Sequence, residues 1–293
     1  MRPAPGSSAR ARLVALALAI ALTTTAEAAR ADAGGACAPG FDAATNPLAG
    51  GTTTFTPADF GTIPEVCPGS EVWLRLRGEL LDASDAPDFF GQVIGSATLR
   101  ARRRVTARSW LSLSVDLLDY RYVNNGGLAA TGPRFGPATI GYHWTALDRP
   151  RGAVAVYARA LLPIDTARQS GVEAGLELGA AGRAPLRHRV SLDGGAALFT
   201  PVDVTGGQAH AHLRTSLLGE AWWSSSPRFA VLAGLGAMLQ LAPAPDLIGL
   251  VPRVGLRGAV GHHHLWLGFL AEAPVAGLDR TNLVASGFLG WTP

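Results

Sequence analysis

From about Ser70 to the end of the chain, apolar and polar residues take turns. Val72, Leu74, Leu76 and Leu80 share one side of an extended segment; Trp73, Arg75, Arg77 and Glu79 share the other. Leu111, Leu113, Val115 and Leu117 alternate in the same way with Ser112, Ser114 and Asp116, and Val172, Ala174, Leu176 and Leu178 with Glu173, Gly175, Glu177 and Gly179. Successive side chains of a strand point to opposite faces, so each run predicts a strand with one apolar face. Twelve strands are expected: 70–81, 91–104, 108–120, 137–146, 153–162, 171–181, 188–199, 208–222, 228–241, 249–260, 264–273 and 282–291. The links alternate in length: 82–90, 121–136, 163–170, 200–207, 242–248 and 274–281 are long, whereas 105–107, 147–152, 182–187, 223–227 and 261–263 are short.

That alternation separates two all-β architectures. Nothing in a β-sandwich requires long and short links to take turns. A transmembrane antiparallel up-and-down β-barrel does, because short turns gather at the periplasmic rim and longer loops at the other. An even strand count puts both ends of the barrel at the short-turn rim. In lipid the outward face must be apolar, and nearly every charged residue falls on the opposite side of its strand, Arg103 beside a turn being the clearest exception. Trp144, Phe269 and Trp291 lie on the outward side, as girdle aromatics would.

The inner face then carries mixed charge. Arg75, Arg77, Arg100, Arg102, Arg104, Arg159, Arg189, Arg214, Arg253 and Arg257 point inward with Glu79, Asp116, Glu173, Glu177, Asp193, Glu220 and Glu272. Two readings stay open. One is a lumen laced with ion pairs; the other is an Arg-lined constriction selecting anions, for which the successive Arg100, Arg102 and Arg104 make the best case. His210 and His212 share the inward face without a third ligand near in sequence, and His262, His263 and His264 fall at a short turn, so no metal site is expected. Catalysis is not expected either. His143 has no Ser at the matching place, His188 and Ser191 fall on opposite faces, and neither Gly-x-Ser-x-Gly nor His-Glu-x-x-His occurs. No cofactor signature is found.

Composition places the barrel in a compartment. Arg2, Arg10 and Arg12 precede the apolar run Leu13–Leu22, and Ala26-Glu27-Ala28 and Ala31-Asp32-Ala33 offer cleavage sites, so residues 1–33 read as a signal peptide. Its loss takes four Arg and two acids from the 25 basic and 22 acidic residues, leaving a net charge of +1. A nucleic-acid partner is thereby set aside. Residues 34–69 form an irregular extension rich in Gly, Pro and Thr; its Cys37 and Cys67 are the only cysteines and are expected to pair after export. Residues 70–293 make the barrel, in the bacterial outer membrane, with its lipid as surroundings and a monomer assumed.

Gly136-Pro137-Ala138-Thr139-Ile140-Gly141-Tyr142, then Ala153–Leu162 and Pro163-Ile164-Asp165-Thr166, resembles the outer-membrane channels associated with the meta-cleavage pathway of phenol degradation. The resemblance covers about a third of the chain, departs from the family pattern at Pro137, and implies passive uptake of small compounds, aromatic or apolar ones among them. The function expected is therefore a narrow channel for small solutes, with residues 34–69 available as a plug. The alternative is a closed barrel with a structural or surface role, presenting Tyr122, Asn124, Asn125 and Phe135 on its longest loop.

Overall fold

The computed structural model describes residues 36–37, 66–82, 90–125, 128–134, 137–162, 172–187, 189–205, 208–226, 228–260, 265–277 and 283–291. The signal peptide, most of residues 34–69, the turn holding His262–His264 and His188 lie outside them, as do the side chains of the loop at 121–136 and of Glu173.

The strands are β1 (Glu71–Asp82), β2 (Phe90–Arg104), β3 (Ser109–Asn125), β4 (Leu128–Arg134), β5 (Ala138–Arg149), β6 (Gly152–Leu162), β7 (Val172–Arg187), β8 (Val190–Thr205), β9 (Gln208–Ala211), β10 (Leu213–Ser226), β11 (Phe229–Ala242), β12 (Asp246–Val260), β13 (Leu265–Glu272) and β14 (Leu283–Trp291). Twelve pair antiparallel with their neighbours in a ring, closed by β1 on β14 and by β8 on β10. β4 pairs only with β3 and β9 only with β8, so each lengthens a hairpin beyond the ring. The fold is an all-β, twelve-stranded closed barrel, and no helix occurs among the described residues.

Closure answers the demand that lipid makes on the backbone. An unpaired N–H or C=O in hydrocarbon costs several kcal/mol, so every edge must be sealed. The seam most at risk is the outer half of β12, because β13 ends early, at Glu272. Residues 273–276 repair it by running back along β12. Ala273 N–H donates to the Pro252 carbonyl, Val275 N–H to Leu250, and Leu250 N–H to Ala276. Gly277 then turns away with φ 112°, where a Cβ would meet the Ile248 carbonyl.

Side chains sort by face as period two requires. Leu76, Leu80, Ile140, Leu176, Leu178, Leu198, Leu235, Leu267 and Leu289 stand exposed on the outside, and most described charged side chains on the inner face are buried. Trp144 and Trp291 sit outward within a residue or two of the short turns, whereas Phe269 lies mid-strand on β13, facing Gly287 and Leu256 across the ladder.

The boundaries differ from the periodic reading in two instructive places. β12 begins at Asp246, so the link to it shrinks to 243–245, because a bulge at Met238/Leu239 restores pairing beyond the expected end. β7 runs on to Arg187, which brings Arg183 from an expected turn onto the wall.

Lipid-facing apolarity should be depth-dependent. Leu178→Arg, mid-strand on β7 and 64% exposed, is expected to cost ~2–4 kcal/mol of folded stability, and Leu265→Arg at the turn rim ~0–1 kcal/mol. Reversible urea unfolding in lipid vesicles measures both.

Candidate functional site

The interior is built from two unlike walls. On β6, β7 and β8 part of the inward face is small, with Ala153, Ala155, Gly179, Ala181 and Ala197 beside the larger Tyr157, Arg159, Glu177 and Phe199. Against them lies the N-terminal extension, where Cys37 and Cys67 form a disulfide with both residues inside the barrel. The segment is held by Thr145 Oγ1 donating to the Val66 carbonyl at 3.0 Å, Arg102 Nη1 to the Cys67 carbonyl at 3.4 Å and Ala36 N–H to the Arg149 carbonyl at 2.9 Å. Cys37 N–H donates to Asp148 Oδ1, and Arg183 Nη1 lies 3.8 Å from Cys67 Sγ. Asp148 and Arg149 adjoin the β5–β6 turn, so the disulfide sits toward the short-turn rim.

The opposite wall is bulky. Trp73, Trp222, Leu232, Trp266, Leu270 and Phe288 form one buried cluster on β1, β10, β11, β13 and β14. Its largest members need glycine beside them. Trp266 faces Gly290 across the ladder, and a Cβ on Gly290 would overlap the indole; Tyr157 stands over Gly179 in the same way. Gly290 and Gly179 therefore serve as floor for these two rings.

Between and around these walls run ion pairs. Arg102 bonds Glu71 at 3.2 Å; Arg77 bonds Glu79 at 2.8 Å; Arg159 pairs with Glu177; Arg183 meets Asp193 at 2.6 Å; Arg253 lies 3.1 Å from Glu220 and 3.7 Å from Glu272. Arg75 reaches Thr98, which donates to Asp116 at 2.7 Å. Arg100 lies over Trp73 and Arg257 over Trp266, with the Arg257 guanidinium 4.0 Å from Glu71.

This arrangement changes the reading of Arg100, Arg102 and Arg104. The sequence showed no acidic strand to match them, but Glu71, at the start of β1, faces Arg102 directly in the register. Arg104 caps the β2–β3 turn by donating to the Thr106 and Ala107 carbonyls. The three guanidiniums thus go to a carboxylate, an indole and a turn rather than to one ring of charge. Arg189 is exposed in the turn before β8 and His210 is exposed on β9, so neither is part of the buried wall. His212 and Arg214 are half-buried where β9 gives way to β10. No group of three metal-ligating side chains forms among the described residues.

One pairing was invisible to local sequence. Ser112 Oγ lies 2.8 Å from His143 Nε2, both buried, because Gly141 faces Ser112 and leaves His143 room to lean across. The imidazole is stacked between Trp110 at 5.0 Å and Tyr157 at 5.5 Å. No partner among the described residues meets Nδ1. Glu71, Ser112, Arg183 and the interior tryptophans are the site residues that sequence reasoning passed over. The period-two pattern already placed Trp110, Trp222 and Trp266 inward, and that was the available signal.

No family model matches the chain, and no curated protein matches it in sequence. Among solved structures it is similar to the COG4313 outer membrane channel from Pseudomonas putida F1, at 13% identity and a TM-score of 0.59, over 81% of this chain and 99% of that one. It is also similar to the translocator domain of the autotransporter NalP from Neisseria meningitidis, at 12% identity and a TM-score of 0.50, over 77% and 88%. The chain shares its fold with outer-membrane channels. The translocator match shows that the same barrel serves more than one task, so the contents of the lumen must carry the functional argument.

Two substitutions test how the interior is held. Arg253→Leu strands Glu220 and Glu272 without their cation in a buried site and is expected to cost ~3–5 kcal/mol. Gly179→Ala, which drives a methyl into the Tyr157 ring, is expected to cost ~1–3 kcal/mol, whereas Gly219→Ala, with open space at its Cβ, is tolerated. Denaturant midpoints in detergent or vesicles read all three.

Proposed function

We propose that the mature chain is a narrow channel of the bacterial outer membrane, exported with loss of residues 1–33, through which small solutes diffuse when the Cys37–Cys67 segment leaves the lumen. The observation that carries this reading is the seating of that segment. Val66 and Cys67 are buried in the barrel interior and Cys37 packs beside them, held by hydrogen bonds from β2 and β5 and by contact with the alanines of β6 to β8. A wall of Ala and Gly under a removable segment becomes open cross-section once the segment moves. Twelve strands make a tube between side-chain-filled eight-stranded barrels and open sixteen-stranded porins, so large solutes are excluded. Aromatic rings on the inner face favour small solutes that carry a ring.

A second reading, a closed barrel with a structural or surface role, is favoured by the aromatic cluster and ion pairs that fill the opposite wall. Liposome swelling separates the two. The oxidised protein is expected to pass small sugars and aromatic carboxylates slowly. Reduction, or Cys37→Ser, should raise the rate several-fold, since the closed loop of 30 residues restrains the chain by ~3–4 kcal/mol in the entropy model. Absence of swelling in every form, with heat-modifiable gel mobility retained, would establish the closed barrel.

A further inference from the structure

The short turns carry a charge pattern that the lumen does not use. Arg108 is exposed in the β2–β3 turn, Arg149 and Arg151 flank the β5–β6 turn, Arg189 precedes β8, and Arg228 precedes β11. Four hairpins spread around the barrel thus each end in exposed arginine. In these described turns the one acid is Asp148, which is occupied by the Cys37 N–H. The links at the other rim lean the opposite way by sequence, with Asp85, Asp88, Asp165, Asp203, Asp246 and Asp279.

A belt of outward indoles lies just inside the basic rim. Trp144 pairs with Ser109, the first residue of β3; Trp223 with Val190, the first of β8; Trp291 with Leu265, the first of β13. All three are 44–47% exposed. Indoles at that level mark the boundary between hydrocarbon and headgroups, so the guanidiniums beyond them stand at phosphate depth. A planar guanidinium donates two parallel hydrogen bonds to a phosphate.

We propose that the short-turn rim is a binding surface for anionic phospholipid headgroups of the leaflet it touches. These arginines cap eight consecutive strands of the twelve-stranded ring, from β2 round to β11, and an arc that long follows a headgroup layer, whereas a protein partner would favour a single patch. The inference rests on the bilayer location in the proposed function but not on channel activity.

The test uses the full mature protein in phosphatidylcholine vesicles. Tryptophan fluorescence is quenched with brominated phosphatidylglycerol or brominated phosphatidylcholine, and the ratio of the two association constants is read. The wild type should prefer phosphatidylglycerol by about three-fold or more. The preference should fall toward unity in Arg108→Gln/Arg149→Gln/Arg151→Gln/Arg228→Gln, and in the wild type at high salt. Equal quenching by both lipids in the wild type, or an unchanged preference in the variant, would overturn the proposal and leave the channel reading untouched. Failure of the wild type to give a heat-modifiable, vesicle-inserted form would overturn both.

Discussion

The structure depends on one constraint: hydrocarbon supplies no hydrogen-bond partner to a backbone. A sheet in lipid must therefore close, and the most telling details of this barrel are the places where closure was difficult. β13 is too short to cover β12, and residues 273–276 supply the missing donors and acceptors. β4 and β9 pair off the outer ends of longer strands instead of leaving them as edges. Apolar residues outside follow from the same solvent, since the exterior is set by lipid rather than by packing among neighbouring elements.

Closure leaves a second problem inside. Twelve strands enclose more space than the side chains of an eight-stranded barrel could fill. Here the volume is divided between unlike solutions. A cluster of tryptophans, Trp266 among them over Gly290, fills one side; Val66 and the Cys37–Cys67 disulfide pack against alanines on the other. The carboxylates among them are buried with arginines beside them. An isolated charge in such surroundings would cost more than the pair recovers, so these pairs hold the barrel in one arrangement more than they stabilise it. That is why an inner face rich in arginine is not by that fact an anion filter. Arg102 is committed to Glu71, Arg253 to two glutamates, and Arg100 and Arg257 to indole faces.

The division also gives the interior its functional asymmetry. The aromatic wall is anchored by strands on both sides, whereas the segment at Cys67 belongs to no strand and is tied to the wall by a few polar contacts. Trp110, His143 and Tyr157 stack beside that segment, with Ser112 on the imidazole, so its wall is ordered while its own backbone lies outside the ladder.

Period-two alternation determined most of the architecture by itself: twelve strands, long and short links taking turns everywhere but between β11 and β12, which residues face lipid and which face inward. Those properties are local, because a strand's two faces follow from its own backbone whatever it pairs with. The pairing of Cys37 with Cys67 was also legible, since an exported chain with two cysteines has one way to pair them. Partners across the barrel were not. Glu71 on Arg102, Arg183 on Asp193 and Ser112 on His143 depend on register, which for Arg183 a bulge at Pro185/Arg187 shifts by one residue. Nor could the pattern say that the disulfide would lie inside the tube, because a segment outside the ladder obeys no periodicity. Only the closed barrel, by setting the alanines of β6 to β8 across from the polar groups of β2 and β5, decided where it would go.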